Sequence, residues 1–299
     1  MSSNPLPIRS VRNRKLVEVR KLSQRKHRVR QDRFLVEGLQ LLGMAVERIR
    51  SDAAEGREAR VVPAELFYCE ELFVGETAPR LLGALTEAGA EPIPVAPHVL
   101  ESLSERDVSQ GLAATFEMSA LEASVDEIVD LQRDGATLIV VLDRLQDPGN
   151  LGTLIRTADA VGADAIVLLE PMVDPFDPKT VRATMGSLFA IPIARTEDPA
   201  ALRSEFDRVG RPVIGADAGG PSAWEEAVLE GSIALALGNE ARGLSSDVRT
   251  IVERTVGLPL RGGAESLNVA IAGGVLMYEW LRVNWASVPG SDRPASPGR

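Results

Sequence analysis

Apolar positions along the chain alternate between runs of four to six and helical spacings, and this alternation occurs in two series. In the first series, residues 10–30 have helical character, with Val11, Leu16, Val19 and Leu22 loosely on one side and cations around them. Residues 34–38 read as a strand and turn leading into a helix over 39–46, and the charged, small residues of 51–60 read as a loop. Residues 65–74 read as one strand or two short pieces, with further extended segments at 91–95 and 111–117 and helices at 79–88 and 98–104. Pro92 and Pro94 cannot donate to a ladder, which places 91–95 at a sheet edge. Residues 118–135 are acidic and read as an exposed helical linker.

The second series opens on the apolar run 137–142, the pattern of a strand buried on both faces. Further strands are predicted at 165–169, 188–193, 213–216 and 232–237. Helices are predicted at 151–161, 179–185, 198–208, 222–229 and 265–283. Asn150 is placed as a helix cap, and Pro178 as a helix start. In the last helix Ala270, Ala272, Gly273 and Gly274 form a small-residue face that permits close approach of another element. Strands alternating with helices imply an α/β fold: a small N-terminal α/β sandwich, then a doubly wound parallel sheet of five or six strands.

A length of 299 residues suits two domains. The boundaries read as 8–118, a linker over 119–135, a second domain over 136–285, and a tail over 286–299 rich in Pro, Ser and Gly. The chain has no apolar run of ~18 residues, so no membrane span is expected. No secretory signal is apparent, and Cys69 is the single cysteine, which suits the reducing cytoplasm. With His27 and His98 as the only histidines, no Cys/His metal centre and no Ser-His-Asp triad are expected. Neither G-x-G-x-x-G nor a P-loop is present, which disfavours a nucleotide- or NAD-binding enzyme.

The formal net charge of -10 argues against a nucleic-acid partner, but its distribution argues for one. Between Arg9 and Arg33 eleven basic residues face only Glu18 and Asp32. Cations of this density, among them Arg25, Lys26, Arg28 and Arg30, are candidates for phosphate contacts that add affinity without sequence preference. The bland alternative is a solvated helix with basic faces.

Two loops carry the candidate chemistry. Gly238-Asn239-Glu240-Ala241-Arg242-Gly243-Leu244 follows the strand at 232–237, and ligands in open α/β sheets bind beyond the carboxyl ends of strands. Leu258-Pro259-Leu260 precedes Glu265-Ser266-Leu267-Asn268-Val269-Ala270, where a helix begins. Upstream lies Asn150-Leu151-Gly152-Thr153-Leu154-Ile155-Arg156-Thr157-Ala158. Alone, Asn150 reads as a plain cap and Arg156 as a surface ion pair. Together, in this order, the three stretches resemble the motifs of the SpoU/TrmH branch of the SPOUT RNA methyltransferases. More weakly, Val36-Glu37-Gly38, Leu103-Ser104 and Ser109-Gln110-Gly111 resemble the ribosomal-protein-like domain that holds folded RNA in many such enzymes; a generic packing or dimerisation domain is the alternative.

The resemblance implies a C-terminal trefoil knot, a homodimer, and S-adenosylmethionine as cofactor, held by Gly238, Leu258, Leu260 and Leu267. Leu260 departs mildly from the family's usual Met. The implied acceptor is a ribose 2′-hydroxyl of RNA, which also separates RNA from DNA. The resemblance implies that Arg156 takes or polarises the hydroxyl's proton, in its own or the partner subunit's pocket. The strong basicity of guanidine favours instead an electrostatic anchor for the developing oxyanion, deprotonated only in the assembled site. Asn150 would orient it, with Glu240, Ser266 and Asn268 as a supporting hydrogen-bond shell. Arg182, within the family-like segment 181–187, would contact RNA. The extra N-terminal domain favours ribosomal RNA, 23S in particular, over tRNA. The alternatives are a tRNA 2′-O-methyltransferase and a non-catalytic RNA-binding or ribosome-assembly protein on the same fold.

Overall fold

The computed structural model describes residues 6–104, 109–131, 134–224 and 227–288. In chain order, two short helices, α1 (Arg14–Arg20) and α2 (Arg25–Gln31), lead into strand β1 (Arg33–Glu37). Helix α3 (Leu39–Ala54), β2 (Pro63–Tyr68), α4 (Thr77–Glu87), β3 (Glu91–Pro94), α5 (Pro97–Glu101) and β4 (Leu112–Glu117) follow. After β5 (Glu122–Ala123) and α6 (Val125–Val129) come β6 (Leu138–Asp143), α7 (Pro148–Ala160), β7 (Ala165–Leu169), α8 (Pro178–Ala183) and β8 (Ile193–Thr196). The chain then forms α9 (Pro199–Arg208), β9 (Val213–Ala216), β10 (Ile233–Leu237), α10 (Ser246–Ile251), β11 (Arg254–Val256) and α11 (Val269–Val283).

The chain divides into two compact units, residues 1–122 with 174–190, and residues 123–173 with 191–299. The first is built on a sheet of order β1-β4-β2-β3. β4 pairs antiparallel with β1 (Phe34 opposite Phe116) and with β2. β3 lies parallel to β2 at the edge, where its prolines demand no ladder donor. Cys69 is buried in the core of this unit at 3% exposure, among Leu16, Val19, Leu22 and Phe67. Burial pushes its thiol up from the ordinary range.

Residues 174–190 were expected in the second domain, but cluster with the first unit. Asp174, Phe176, Val181, Leu188 and Phe189 are buried there. The Phe176 ring lies 4.9 Å from that of Phe34, and Phe189 lies 5.0 Å from Phe116. Arg28 donates from Nη2 and Nε to Asp174 Oδ2, at 2.7 and 3.1 Å, and from Nη1 to the Leu22 carbonyl. Arg28 is thus 2% exposed and Asp174 6%. The strand expected over 188–193 gives way to a 3-10 turn, Ser187–Phe189, because Leu188 and Phe189 fill this core.

The second unit is a sheet of order β11-β9-β10-β6-β7-β8-β5, with β11 to β8 joined by parallel pairs. All residues of β6, β7 and β10 are buried, as continuous apolar runs require. From β6 the chain builds β7 and β8 on one side, then crosses to lay β9 and β10 on the other. The order therefore reverses between β6 and β10, the place where such sheets open a crevice.

Other departures have local causes. Residues 123–131 are not an exposed helical linker: Ser124 and Glu127 form a capping box, and Ile128 and Val129 are buried against the sheet, while 132–133 of the expected linker lie outside the described residues. Helix α3 runs on through 51–54, because Asp52 is held by Arg48 and Arg57. The helix expected at 222–229 is a turn, Ala227–Leu229, and its residues 225–226 lie outside those described. Residues 286–287 end a 3-10 turn, and of the expected tail 289–299 lie outside the described residues.

Candidate functional site

Four strands of the second unit end at one edge, and the loops after β6, β9, β10 and β11 build the site there. The loop after β10 is closed on itself. Asn239 and Gly243 exchange backbone hydrogen bonds of 2.9 Å each, and Asn239 Oδ1 accepts from the N–H groups of Ala241 and Arg242. Gly238 is required at its root, because a Cβ would lie 2.2 Å from the Gly243 carbonyl carbon. Buried Asp143, at the end of β6, accepts from the Ser245 N–H at 2.6 Å and fixes the loop's exit.

The loop after β6 turns into α7 through Asp147, whose carboxylate accepts from the Asn150 N–H at 2.8 Å, with Pro148 in the first turn. Asn150 is therefore not the cap expected of it. It sits inside the first turn, and its side chain is free to reach across. Asn150 Nδ2 donates to Glu240 Oε1 at 3.0 Å, while Asn150 Oδ1 accepts from Asn268 Nδ2 at 3.0 Å. Glu240 also accepts from the backbone of Gln146 and Asp147, at 3.4 and 3.3 Å. Asn268 Oδ1 caps α11 through the N–H groups of Ala270 and Ile271. The helix thus begins at Val269 rather than 265, since Asn268 supplies the cap and 261–268 form an exposed loop. One line of hydrogen bonds, Glu240 to Asn150 to Asn268, joins three stretches far apart in sequence.

These loops enclose a cavity of about 290 Å³, close to the lower end for small-molecule sites. Its apolar wall includes Leu237, Leu258, Leu260, Leu267 and Leu276, and its glycine wall Gly238, Gly243 and Gly257. Leucines facing exposed main chain suit a purine that needs backbone donors and acceptors. Ser266 lines the cavity and makes no hydrogen bond among the described residues, so it stands outside the network expected to include it. Asp217 and Arg249, not singled out in the sequence, form an ion pair of 3.0 Å in the wall. The Gly219 N–H and then the Arg249 guanidinium hold the Asp217 carboxyl below the usual carboxylate range, against the opposing effect of partial burial.

Arg156 lies on the exposed face of α7, is not part of this cavity's wall, and has no hydrogen bond or ion pair among the described residues. Alongside it α7 packs on α11 so closely that a Cβ on Gly273 would meet Leu154 at 2.6 Å. Of the cations proposed for RNA, Arg25, Lys26 and Arg30 are exposed. Arg28 is not available: it is buried on Asp174, which satisfies it inside the first unit. Arg182 is half-buried and lines a separate cavity of about 230 Å³ in the first unit with Arg20 and Ser102. Among the described residues no group of His, Cys, Asp or Glu could hold a metal ion, and no helix is long and apolar enough to cross a membrane.

Residues 137–278 match the model of the SpoU rRNA Methylase family, and residues 13–114 the model of the MRM3-like substrate binding domain. The chain is 31% identical to the 23S rRNA (guanosine(2553)-2′-O)-methyltransferase RlmP of Bacillus subtilis, over 91% of this chain and 97% of that protein. It is 32% identical to the 23S rRNA (uridine(2479)-2′-O)-methyltransferase of Streptomyces viridochromogenes, over 87% and 86%. A crystal structure of an AdoMet-bound rRNA methyltransferase from Sinorhizobium meliloti superposes with a TM-score of 0.76 at 30% identity, covering 93% of this chain and 97% of that one.

Proposed function

The chain belongs to the SpoU rRNA methylase family, and from that premise we propose that it methylates a ribose 2′-hydroxyl in 23S ribosomal RNA, with S-adenosylmethionine as donor. The observation that carries this reading is the hydrogen-bonded line from Glu240 through Asn150 to Asn268, which shapes a leucine- and glycine-walled cavity. Bound there, S-adenosylmethionine supplies an electrophilic methyl group on a sulfonium centre. Leu258, Leu260 and Leu267 hold the purine, and Gly238 lets main chain approach it. Glu240, Asn150 and Asn268 keep the two loops and the start of α11 at fixed separation, so that positioning carries much of the gain.

The remaining requirement is a charge beside the acceptor oxygen. A guanidinium's delocalised charge makes it a poor base, so Arg156 acts as a preorganised cation for the developing oxyanion. Ser266 lines the cavity and Asn150 is bonded to Glu240 in its wall, which supports acceptor entry beside them. The exposed position of Arg156 favours its use in the cavity of a second copy. Leu267, Ile271, Val275 and Tyr278, at 41%, 58%, 39% and 53% exposure, form an apolar stripe beside α7 that suits a homodimer interface. The proposal includes the trefoil knot, formed where the chain from 238 to 268 threads before α11, and a cytoplasmic location.

RNA is held by the first unit through Arg25, Lys26, Arg30 and Arg182. Two curated relatives modify 23S rRNA at different nucleotides, one guanosine and one uridine, which supports ribosomal RNA as the substrate class and leaves the nucleotide to the first unit's contacts. Mapping 2′-O-methyl nucleotides in ribosomal RNA with and without the gene tests this reading. One 23S position should lose its methyl group and regain it with purified protein and S-adenosylmethionine. An unchanged ribosomal map, or a loss confined to tRNA, ends it.

A further inference from the structure

The polar side chains in the wall of the cavity are Asp217, Asn239, Glu240, Arg249 and Ser266. Two of them are committed to the fold. Glu240 accepts from Asn150 and from two backbone N–H groups, and Asn239 donates to the Arg144 carbonyl at 2.9 Å while its oxygen closes the loop. Ser266 is a neutral hydroxyl. Asp217 is the remaining anionic acceptor, and it is held in place rather than used up.

Its backbone N–H donates to the Val256 carbonyl at 2.9 Å, and its own carbonyl accepts from the Gly220 N–H at 2.9 Å, so the residue is pinned between the ends of β9 and β11. Its Oδ1 accepts from the Gly219 N–H and its Oδ2 from Arg249 Nη1, each at 3.0 Å. Arg249 in turn donates from Nε to the Leu244 carbonyl at 3.1 Å. A carboxylate offers about four lone-pair sites, so one on each oxygen remains. A fixed carboxylate at the end of a parallel strand, with one open site per oxygen, matches a pair of neighbouring hydroxyl donors. An acidic residue reads ribose hydroxyls in this way in unrelated α/β folds.

We propose that Asp217 recognises the ribose of the methyl donor, its carboxylate accepting from the vicinal 2′- and 3′-hydroxyls, with Arg249 as a positioning residue that aims it. The assignment rests on the adenosyl reading of the cavity. It makes Asp217 the group that separates ribonucleoside ligands from those lacking a diol. The competing donor on the same ligand is the ammonium of its amino-acid end, and the test separates the two.

Binding of S-adenosylhomocysteine, 5′-methylthioadenosine and the 2′,3′-dideoxy form of 5′-methylthioadenosine is measured by calorimetry for the full chain and its variants. The wild type should prefer 5′-methylthioadenosine over its dideoxy form by about 30-fold, the size of two charge-assisted hydrogen bonds partly offset by desolvation. Asp217→Asn should reduce that preference to about threefold or less. Asp217→Ser, which retains a hydroxyl to accept from Gly219, should do the same and covers the case in which Asp217→Asn fails to fold. Arg249→Met should lower the diol preference while leaving affinity for the dideoxy ligand unchanged, which a general loosening of the wall would not do. Equal binding of both nucleosides by the wild type, or a wild-type preference retained in both Asp217 variants, overturns the assignment but not the adenosyl reading. A loss in the Asp217 variants confined to S-adenosylhomocysteine gives the carboxylate to the ammonium and likewise overturns it. Failure of the wild type to bind any of the three ligands removes the adenosyl reading and this assignment together.

Discussion

Two arginine-bearing helices, α2 in the first unit and α7 in the second, treat their cations in opposite ways. Arg28 on α2 is buried on Asp174, while Arg156 on α7 is exposed and has no partner among the described residues. Arg28 belongs to the densest run of cations in the chain, and Arg156 is a lone cation on an otherwise amphipathic helix. Density of charge therefore says little about which member of a run meets solvent. One cation can be withdrawn to neutralise a carboxylate brought from far along the chain, and its neighbours stay outside. A solitary arginine held outward, on the helix whose first turn carries Asn150 into the Glu240–Asn150–Asn268 line, is the better candidate for chemistry.

The contrast can be broken most sharply at Arg156. Arg156→Ala should lower methyl transfer by about a thousandfold, the scale of losing one oxyanion-stabilising group, with S-adenosylmethionine affinity unchanged in calorimetry. Near-normal turnover in a radiolabelled-methyl assay would make Arg156 as ordinary as any surface cation. The converse holds at Arg28. Arg28→Met should cost about 3 kcal/mol in urea unfolding, because Asp174 is left charged and buried, and adding Asp174→Asn should recover part of the loss. Wild-type stability in the single variant would mean that the ion pair contributes nothing.

Smaller effects sharpen the comparison. Glu240→Gln removes the charge from the line through Asn150 and should weaken S-adenosylmethionine binding about tenfold, with the melting temperature little changed. Replacing Arg25, Lys26 and Arg30 together with Gln should flatten the salt dependence of RNA binding by about 0.7 per cation, whereas Arg28→Met should leave that slope as it is. The acid limb of stability offers a last test. The Asp217 carboxyl titrates lower in the folded chain than unfolded, so its contribution is present above the unfolded value and is lost as pH falls through the folded one. Asp217→Asn should flatten that limb; an identical acid profile would discount the Arg249 pair.

Most strands of the second unit were legible, since β6, β7, β9 and β10 are apolar runs between turn residues and need no tertiary information. The loop motifs were legible for a different reason, an ordered set of residue types. What the pattern did not carry was the partner of each group. Asp174 lies 146 residues from Arg28, and nothing local to either predicts the pair. Residues 188–193 looked like a strand because apolar runs read alike whether they join a ladder or plug a core, and Leu188 and Phe189 do the latter. Asn150 looked like a cap because Asn often is one. The signal passed over was Asp147-Pro148, an N-cap followed by proline, which moves the helix start three residues back and frees the amide. Asp217 and Arg249 were passed over because neither falls in a motif; a Gly-rich turn after a buried strand was the available hint.

The sulfur chemistry of this chain has a practical side. Cys69, its single thiol, is 3% exposed and kept protonated by its surroundings, so thiol-directed reagents should meet almost no reactive sulfur in the native protein. A cysteine introduced at exposed Thr153, one turn before Arg156, would be the one fast-reacting position, and a dye attached there would report the arrival of a second subunit or of RNA without background from the native sequence.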